Sequence, residues 1–310
     1  MNNNQNNNQA EIIEESHPHH SAKRLFIIAA VFFAFTATIS AKTPEVKTPR
    51  NVVALSKSVA EMWLLAGGSL AGTTSDALEL PDAENAVSIG SLTNASLEAI
   101  IGLNSELVIL TLDIPLHKKL EENIRSLGIK TYVADVKSFS DYAKVMKDFT
   151  ALTGKSDLYK KNVTDLYDEI EKVIDSVQKS KIRQEEGQKK TYLFMRVSTA
   201  KNKVLKNHFG NEIFMDLGLL PIVDDNSQLD EISMEALLAA DPDYIFVVAQ
   251  GNEEKAEEAF YKAYKSNPAW NSLKAVQNNK IIMLPKELFN YKPNARWAES
   301  YRLIADFLNA

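Results

Sequence analysis

Apolar and polar positions follow two different rhythms along residues 51–310, and the change of rhythm divides the chain. From residue 51, short continuous apolar runs take turns with longer amphipathic stretches. "NVVAL" (51–55) reads as a buried strand, and "SVAEMWLLAGG" (58–68) as a helix closed by Gly67 and Gly68. "AVSIG" (86–90) predicts a strand, "SLEAIIGL" (96–103) a helix and "ELVIL" (106–110) a strand. "PLHKKLEENIRSLG" predicts a helix opened by Pro115 and stopped by Gly128. "KTYVA" (130–134) is again strand-like, and "SFSDYAKVMKDFTALTG" (138–154) helix-like. Strands alternating with helices of this length predict parallel βαβ units, with a sheet covered on both faces.

The alternation stops at residue 155. "KSDLYKKNVTDLYDEIEKVIDSVQKSKIR" (155–183) has no Gly or Pro, and Leu158, Val163, Leu166, Ile170, Val173, Ile174 and Val177 make a helical stripe. The spacing predicts one long helix over 155–184, about 40 Å from end to end. "EEGQKK" (185–190) ends it, and a second strand–helix series starts at "TYLFM" (191–195). That series runs through a helix at 207–217, "LPIV" (220–223), "SMEALLA" (233–239), "DYIFVV" (243–248), a helix around 253–265, "KIIML" (280–284) and a last helix at 294–308. The predicted class is therefore α/β, with two Rossmann-like lobes, 51–154 and 188–310, bridged by one helix.

One phrase occurs in both lobes. "SLEAIIGLNSELVIL" (96–110) returns as "SMEALLAADPDYIFV" (233–247), 137 residues later. Ser96 and Ser233 are placed to cap their helices, and Glu98 and Glu235 fall in the first turn, where a negative charge suits the helix dipole. Taken alone, the repeat is either a common helix opening used twice or a contact needed once per lobe.

Composition narrows the function. The 310 residues are 45% hydrophobic and 25% charged, an ordinary globular balance whose length suits two domains. A net charge of −6 argues against a general nucleic-acid binder, which needs a basic surface. The absence of cysteine excludes disulfides, thiolate zinc sites, iron–sulfur clusters and cysteine nucleophiles. The first 41 residues stand apart. Residues 1–20 are polar and Asn-rich, and Lys23 and Arg24 precede the apolar "LFIIAAVFFAFTATISA" (25–41). This pattern predicts a secretory signal with cleavage near Ser40 or Ala41, the alternative being an uncleaved anchor. Either way the expectation is an exported protein on the periplasmic or extracellular side, free or tethered by residues 25–41, and not a cysteine-linked lipoprotein. His17, His19 and His20 belong to that leading segment and are not read as a metal site, and "KTPEVKTPR" (42–50) reads as a linker.

The order of "NVVALSKSVAEMWLLAGG", "AGTTS", "VSIGSLTNASLEAIIGLNSELVIL", "ALTG" leading into the long helix, and "DEISMEALLAADPDYIFVV" resembles the periplasmic-binding-protein family with a rigid helical backbone. That group includes the vitamin B12-, heme- and ferric-siderophore-binding components of ABC importers. The resemblance covers residues 51–310 and rests on order and spacing rather than on one motif. It implies a ligand cleft between the lobes and a monomer that hands its cargo to a membrane permease dimer. It also implies that Glu98 and Glu235 dock onto that permease, one acid for each half of a two-fold partner, which agrees with the steering that separated carboxylates provide. Two departures stand out: Lys57, where the family often has Pro, and the missing lipid-modified cysteine.

Open α/β sheets bind ligands beyond the C-terminal ends of their strands. In the first lobe that rule selects Ser56, Lys57, Thr74, Ser75, Asn94 and Asp113. In the second it selects Arg196, Lys201, Tyr291, Arg296 and Trp297, with Lys203 and Lys292 nearby. Cations beside aromatic rings suit a large anionic ligand with flat apolar parts, namely a metal chelate such as a ferric siderophore, heme or a corrinoid. No resident cofactor is expected. Sites for bare zinc or manganese use clustered histidines, and only His117 and His208 follow residue 41. His208 and Tyr291 are the candidates should the chain itself ligate an iron.

Catalysis is not expected. There is no G-x-S-x-G elbow or G-x-G-x-x-G fingerprint, and Gly154-Lys155-Ser156 lacks the earlier glycine of a phosphate loop, where Phe149 stands. No spacing brings Asp113, Asp224 and Asp225 together. The resulting function is the binding component of an ABC importer for a metal chelate, with a membrane-tethered ligand sensor on the same fold as the alternative. A single bridging helix predicts modest closure around a largely pre-formed cleft.

Overall fold

Apolar runs buried at every position, Val52–Ala54, Leu107–Leu110 and Tyr244–Ala249, lie in the middle of the two sheets. The computed structural model describes residues 47–183, 189–223, 233–265 and 267–309, and Glu45–Ala310 form one compact unit. The expectations for the leading 46 residues and for Asp224 and Asp225 lie outside the described residues.

The first lobe begins with β1 (Val52–Ala54), α1 (Lys57–Leu65), β2 (Gly72–Thr73) and β3 (Val87–Ser88). A two-stranded antiparallel hairpin follows, β4 (Gly90–Ser91) and β5 (Asn94–Ala95), then α2 (Leu97–Gly102) and β6 (Leu107–Leu110). α3 (Pro115–Ser126), β7 (Lys130–Val133) and α4 (Phe139–Thr153) complete the lobe. Its parallel sheet has the order β3-β2-β1-β6-β7. β1 and β6 sit in its middle and are buried along their whole length, as expected for strands with helices on both faces. Pro115 opens α3, and α4 ends on Gly154 at φ +72°, a left-handed cap that glycine adopts without steric penalty.

The bridge is helical from residue 157 to 183, but not uniformly. α5 (Asp157–Tyr159) passes through a π turn at Lys160–Thr164 into α6 (Asp165–Arg183). The wider turn buries Asn162, whose Nδ2 donates to the Leu65 carbonyl at 3.0 Å while its own carbonyl accepts from Tyr142 Oη at 3.2 Å. Beyond it, Leu166, Ile170 and Val177 form the buried face of α6.

The second lobe contains β8 (Thr191–Val197), β9 (Lys203–Val204), α7 (Phe209–Asp216), β10 (Leu220–Pro221), α8 (Met234–Ala240) and β11 (Tyr244–Ala249). It continues with α9 (Glu253–Lys265), α10 (Lys274–Gln277), β12 (Ile281–Leu284), α11 (Lys286–Phe289) and α12 (Trp297–Asn309). The order is β10-β8-β11-β12, all parallel, with β9 antiparallel against β8.

The repeated phrase is also a repeated structure. Ser96 Oγ accepts from Ala99 N and Ser233 Oγ from Ala236 N, each at 3.1 Å. Ile100 and Leu237 are the buried anchors of the two short helices. Asn104 and Asp241, again 137 positions apart, both turn the chain at positive φ, +51° and +40°. Next come Glu106 and Asp243, whose carboxylates accept from the backbone N–H groups of Arg50 and Thr191, both at 2.9 Å, at the start of the neighbouring strand. Each lobe therefore uses the same cap, anchor, turn and acid.

Trp297 is the largest correction to the sequence reading. It lies fully buried at the start of α12, edge-on to Phe139 of the first lobe at 5.6 Å and to Phe209 of the second at 5.4 Å. It is a core residue where the lobes meet, not a cleft residue. Its position in the helical stripe that also buries Tyr301 and Ile304 turns it inward.

Candidate functional site

The carboxyl ends of the two sheets face each other, and charged side chains bridge the gap. Asp113 follows β6 in the first lobe, and its Oδ2 is 3.2 Å from Lys292 Nζ of the second. Arg196, at the carboxyl end of β8, faces the same carboxylate. Burial lowers the Arg196 pKa and Asp113 partly restores it. Lys292 also lies over the Phe209 ring at 5.2 Å. Lobe two thus brings Arg196 and Lys292 to the Asp113 carboxylate of lobe one.

A second contact crosses beside it. Lys57, the first residue of α1, sits 5.6 Å from the Tyr291 ring and is ion-paired with Glu79. Burial alone would lower the Lys57 pKa, yet the hydrogen bond and charge of Glu79 leave it raised. The backbone is tied at the same place. Lys292 N donates to Ser58 Oγ at 3.1 Å, and Asn294 Nδ2 donates to the Ser58 carbonyl at 3.1 Å and to Glu61 at 2.7 Å. Burial raises the Glu61 pKa, while Asn294 and Lys57 oppose that rise.

The floor of the first lobe carries polar atoms without partners. Ser56 Oγ, Thr74 Oγ1 and Asp76 Oδ1 are buried and make no hydrogen bond. Strand register brings them near one another, since Ala54 pairs with Thr73 and Asp76 Oδ2 accepts from Lys57 N at 3.2 Å. A buried polar atom left unpaired costs free energy, so such a set is a place for a ligand group to complete. Leu112, beside Asp113, is 49% exposed and adds an apolar surface.

His208 lies against this site but is committed elsewhere. Its Nδ1 accepts from Gly210 N at 3.1 Å, which caps α7 and leaves the proton of the neutral ring on Nε2. Burial, with Lys292 and Arg196 adding to it, holds its pKa well below the usual histidine value. His208 also lines a cavity of about 250 Å³, with Lys137 from the first lobe and Asn207, Asn211, Glu212 and Met215 from the second. His117 is fully buried, with its two ring nitrogens 3.0 Å from the Thr111 carbonyl and 3.3 Å from that of Leu92. Among the described residues no group of three or more His, Asp and Glu side chains could hold a metal ion, and no helix is long and apolar enough to cross a membrane.

The sequence matches the profile of the family described as "Periplasmic binding protein" over residues 52–288. The chain belongs to that family. Among similar proteins, an Fe(3+)-citrate-binding protein of Bacillus subtilis, YfmC, is 26% identical over 204 residues, 63% of this chain and 58% of the relative's own length. An iron-uptake system-binding protein of the same organism is 25% identical over 253 residues, 78% of this chain and 77% of that one. An ABC transporter substrate-binding protein from Listeria monocytogenes superposes with a TM-score of 0.71 at 23% identity, covering 84% of this chain and 98% of that structure. The vitamin B12-binding protein BtuF of Vibrio cholerae gives 0.68 at 19%, covering 84% and 97%. Family membership makes the chain a periplasmic binding protein, and the solved structures share its fold.

For this binding protein the sequence-selected residues divide by position. Arg196, Asp113, Lys57 and Tyr291 come together across the lobes, and Ser56 and Thr74 lie on the floor beneath. Ser75, at the start of a short 3-10 turn, Asn94, in the hairpin, and Lys201, on a loop, are exposed. Arg296, just before α12, is held by Glu299 of that helix, with Nε and Nη2 both donating at 2.7 Å, an i,i+3 pair. Glu98 and Glu235 are exposed on α2 and α8. Lys292 and Asp76 contribute more than their ordinary loop positions suggest. Their signal was the strand-end loop alone, which names a neighbourhood but not a direction.

Proposed function

We propose that this protein captures an anionic, carboxylate-bearing metal chelate between its lobes and delivers it to a two-fold ABC permease through Glu98 and Glu235. The observation that carries this reading is the pair Arg196 and Lys292 facing the carboxylate of Asp113, with Tyr291 beside them. Charge-assisted hydrogen bonds from such cations are the strong ones, and the guanidinium of Arg196 can hold a carboxylate by two bonds. The unpartnered hydroxyls of Ser56 and Thr74 offer donors to the opposite side of the same ligand. The B. subtilis relative that binds Fe(3+)-citrate makes a ferric hydroxycarboxylate the first ligand to try. Residues 25–41 would direct export.

A thermal-stability screen tests the reading, with ferric citrate, heme, cobalamin, several ferric siderophores and free metal salts as ligands. At a hundredfold excess over Kd, a true ligand adds about 2.7 kcal/mol. We expect one anionic chelate to raise the melting temperature, and R196M or K292M to weaken its binding by roughly tenfold or more, the loss of a hydrogen bond to a charged group. Silence across the panel, or a response to free metal alone, would overturn the assignment.

A further inference from the structure

Ile101 and Leu238 serve neither the cleft nor the core. In α2, Ile100 is fully buried and the next residue, Ile101, is 43% exposed. In α8, Leu237 is 1% exposed and Leu238 is 36% exposed. The core position of the repeated phrase is thus filled in each lobe, and a second branched aliphatic side chain follows it into solvent. Ile101 comes three residues after Glu98, and Leu238 three residues after Glu235. On a helix that spacing places two side chains side by side on one face. Both acids are exposed, and the Ser96 and Ser233 caps hold the two turns alike. A single exposed leucine needs no explanation. The same exposure at the same place in both copies, each beside a carboxylate, is a patterned surface.

We infer that Ile101 and Leu238 are the apolar halves of a duplicated docking patch. The partner is a two-fold membrane permease that presents, once per half, a cation next to an apolar cup. This rests on the permease-delivery reading above and adds to it. Charge complementarity selects this occupant over a second copy of the same chain, because two copies would bring like-charged acids together. The two components act differently. An exposed carboxylate is screened by salt and contributes mainly to approach and orientation. An aliphatic side chain withdrawn from water holds the docked state, on the order of tenfold in affinity for each patch.

The experiment uses cells of the source organism carrying chromosomal variants, with uptake of ferric citrate, heme, ferric siderophores and cobalamin measured in each. A deletion strain identifies the cargo. For that cargo, I101S or L238S should lower uptake at limiting concentration by about tenfold each, and I101S with L238S by more. I101L with L238I should retain uptake. The purified serine variants should keep wild-type melting temperature and ligand affinity, so that any loss reports docking. Full uptake by the double serine variant, with uptake abolished by E98R and E235R, would overturn the apolar contribution and leave the acidic docking intact. Full uptake by the E98R and E235R strain as well, or a deletion that affects no cargo, would overturn the delivery reading and this inference with it. Conversion of a self-associated wild type to monomer by the serine pair would assign the patch to a second copy and overturn it too.

Discussion

His208 performs two tasks that depend on its being neutral. It caps α7 through Nδ1, and its ring packs at 4.3 Å from Phe209 and 5.3 Å from Phe194. Protonation would put a donor where Gly210 N–H already points, beside Lys292 and Arg196. Its folded-state pKa is therefore depressed, whereas in the unfolded chain it returns to about 6.5. On acidification the unfolded state takes up the proton first, so stability present above about pH 6.5 is lost as pH falls below it. His117, also depressed by burial, acts in the same direction. We expect the melting temperature to drop between pH 7.5 and 5.5, and H208N to flatten that drop, since asparagine keeps the cap without the titration. An unchanged slope in H208N would count against this account. Trp297 teaches the complementary point: its loop could be placed from sequence, but whether its ring turned toward ligand or core depended on partners in both lobes.

At the level of elements, the two Ser caps make a paired prediction. S96A and S233A should each cost about 1 kcal/mol by denaturant unfolding, the usual value for losing an N-cap. They lie in different lobes with no shared partner, so the double variant should show the sum. A markedly unequal pair would mean that the two copies are not equivalent. Element order and type were largely legible, because apolar runs such as Leu107–Leu110 and periodic stretches such as Pro115–Ser126 announce themselves. The π turn at Lys160–Thr164 was not, because one extra residue in a helix changes neither composition nor capping signals. The β4–β5 hairpin was also missed, its strands being only two residues each.

Across the whole molecule, the two lobes are tied by direct hydrogen bonds as well as by the bridge. Ser58 and Glu61 of the first lobe hold Lys292 and Asn294 of the second, and Phe139 N donates to Glu212 at 2.6 Å. Buried rings of Phe139, Tyr142, Phe209 and Trp297 fill the space between. Packed junctions of this kind resist hinge motion. Small-angle scattering should accordingly show little change in radius of gyration when ligand is added, and a large contraction would contradict this. The cleft itself was legible only as a set of strand-end loops. That Asp113 meets Lys292 while Arg296 turns back to Glu299 depended on side-chain direction, which sequence spacing does not carry.

α12 lies along α6, with Arg302 Nη1 3.0 Å from Glu169 and with Ile170, Val177, Tyr301 and Ile304 in one buried cluster. α12 therefore covers the stripe of the bridge, which is formed well before it in the sequence. During synthesis the first lobe can close on itself early, but the bridge keeps an uncovered oily seam until the thirteen residues of α12 have emerged. Order of birth and order of completion differ in this molecule, and a chain stopped short of residue 297 would carry a finished lobe attached to an unfinished spine.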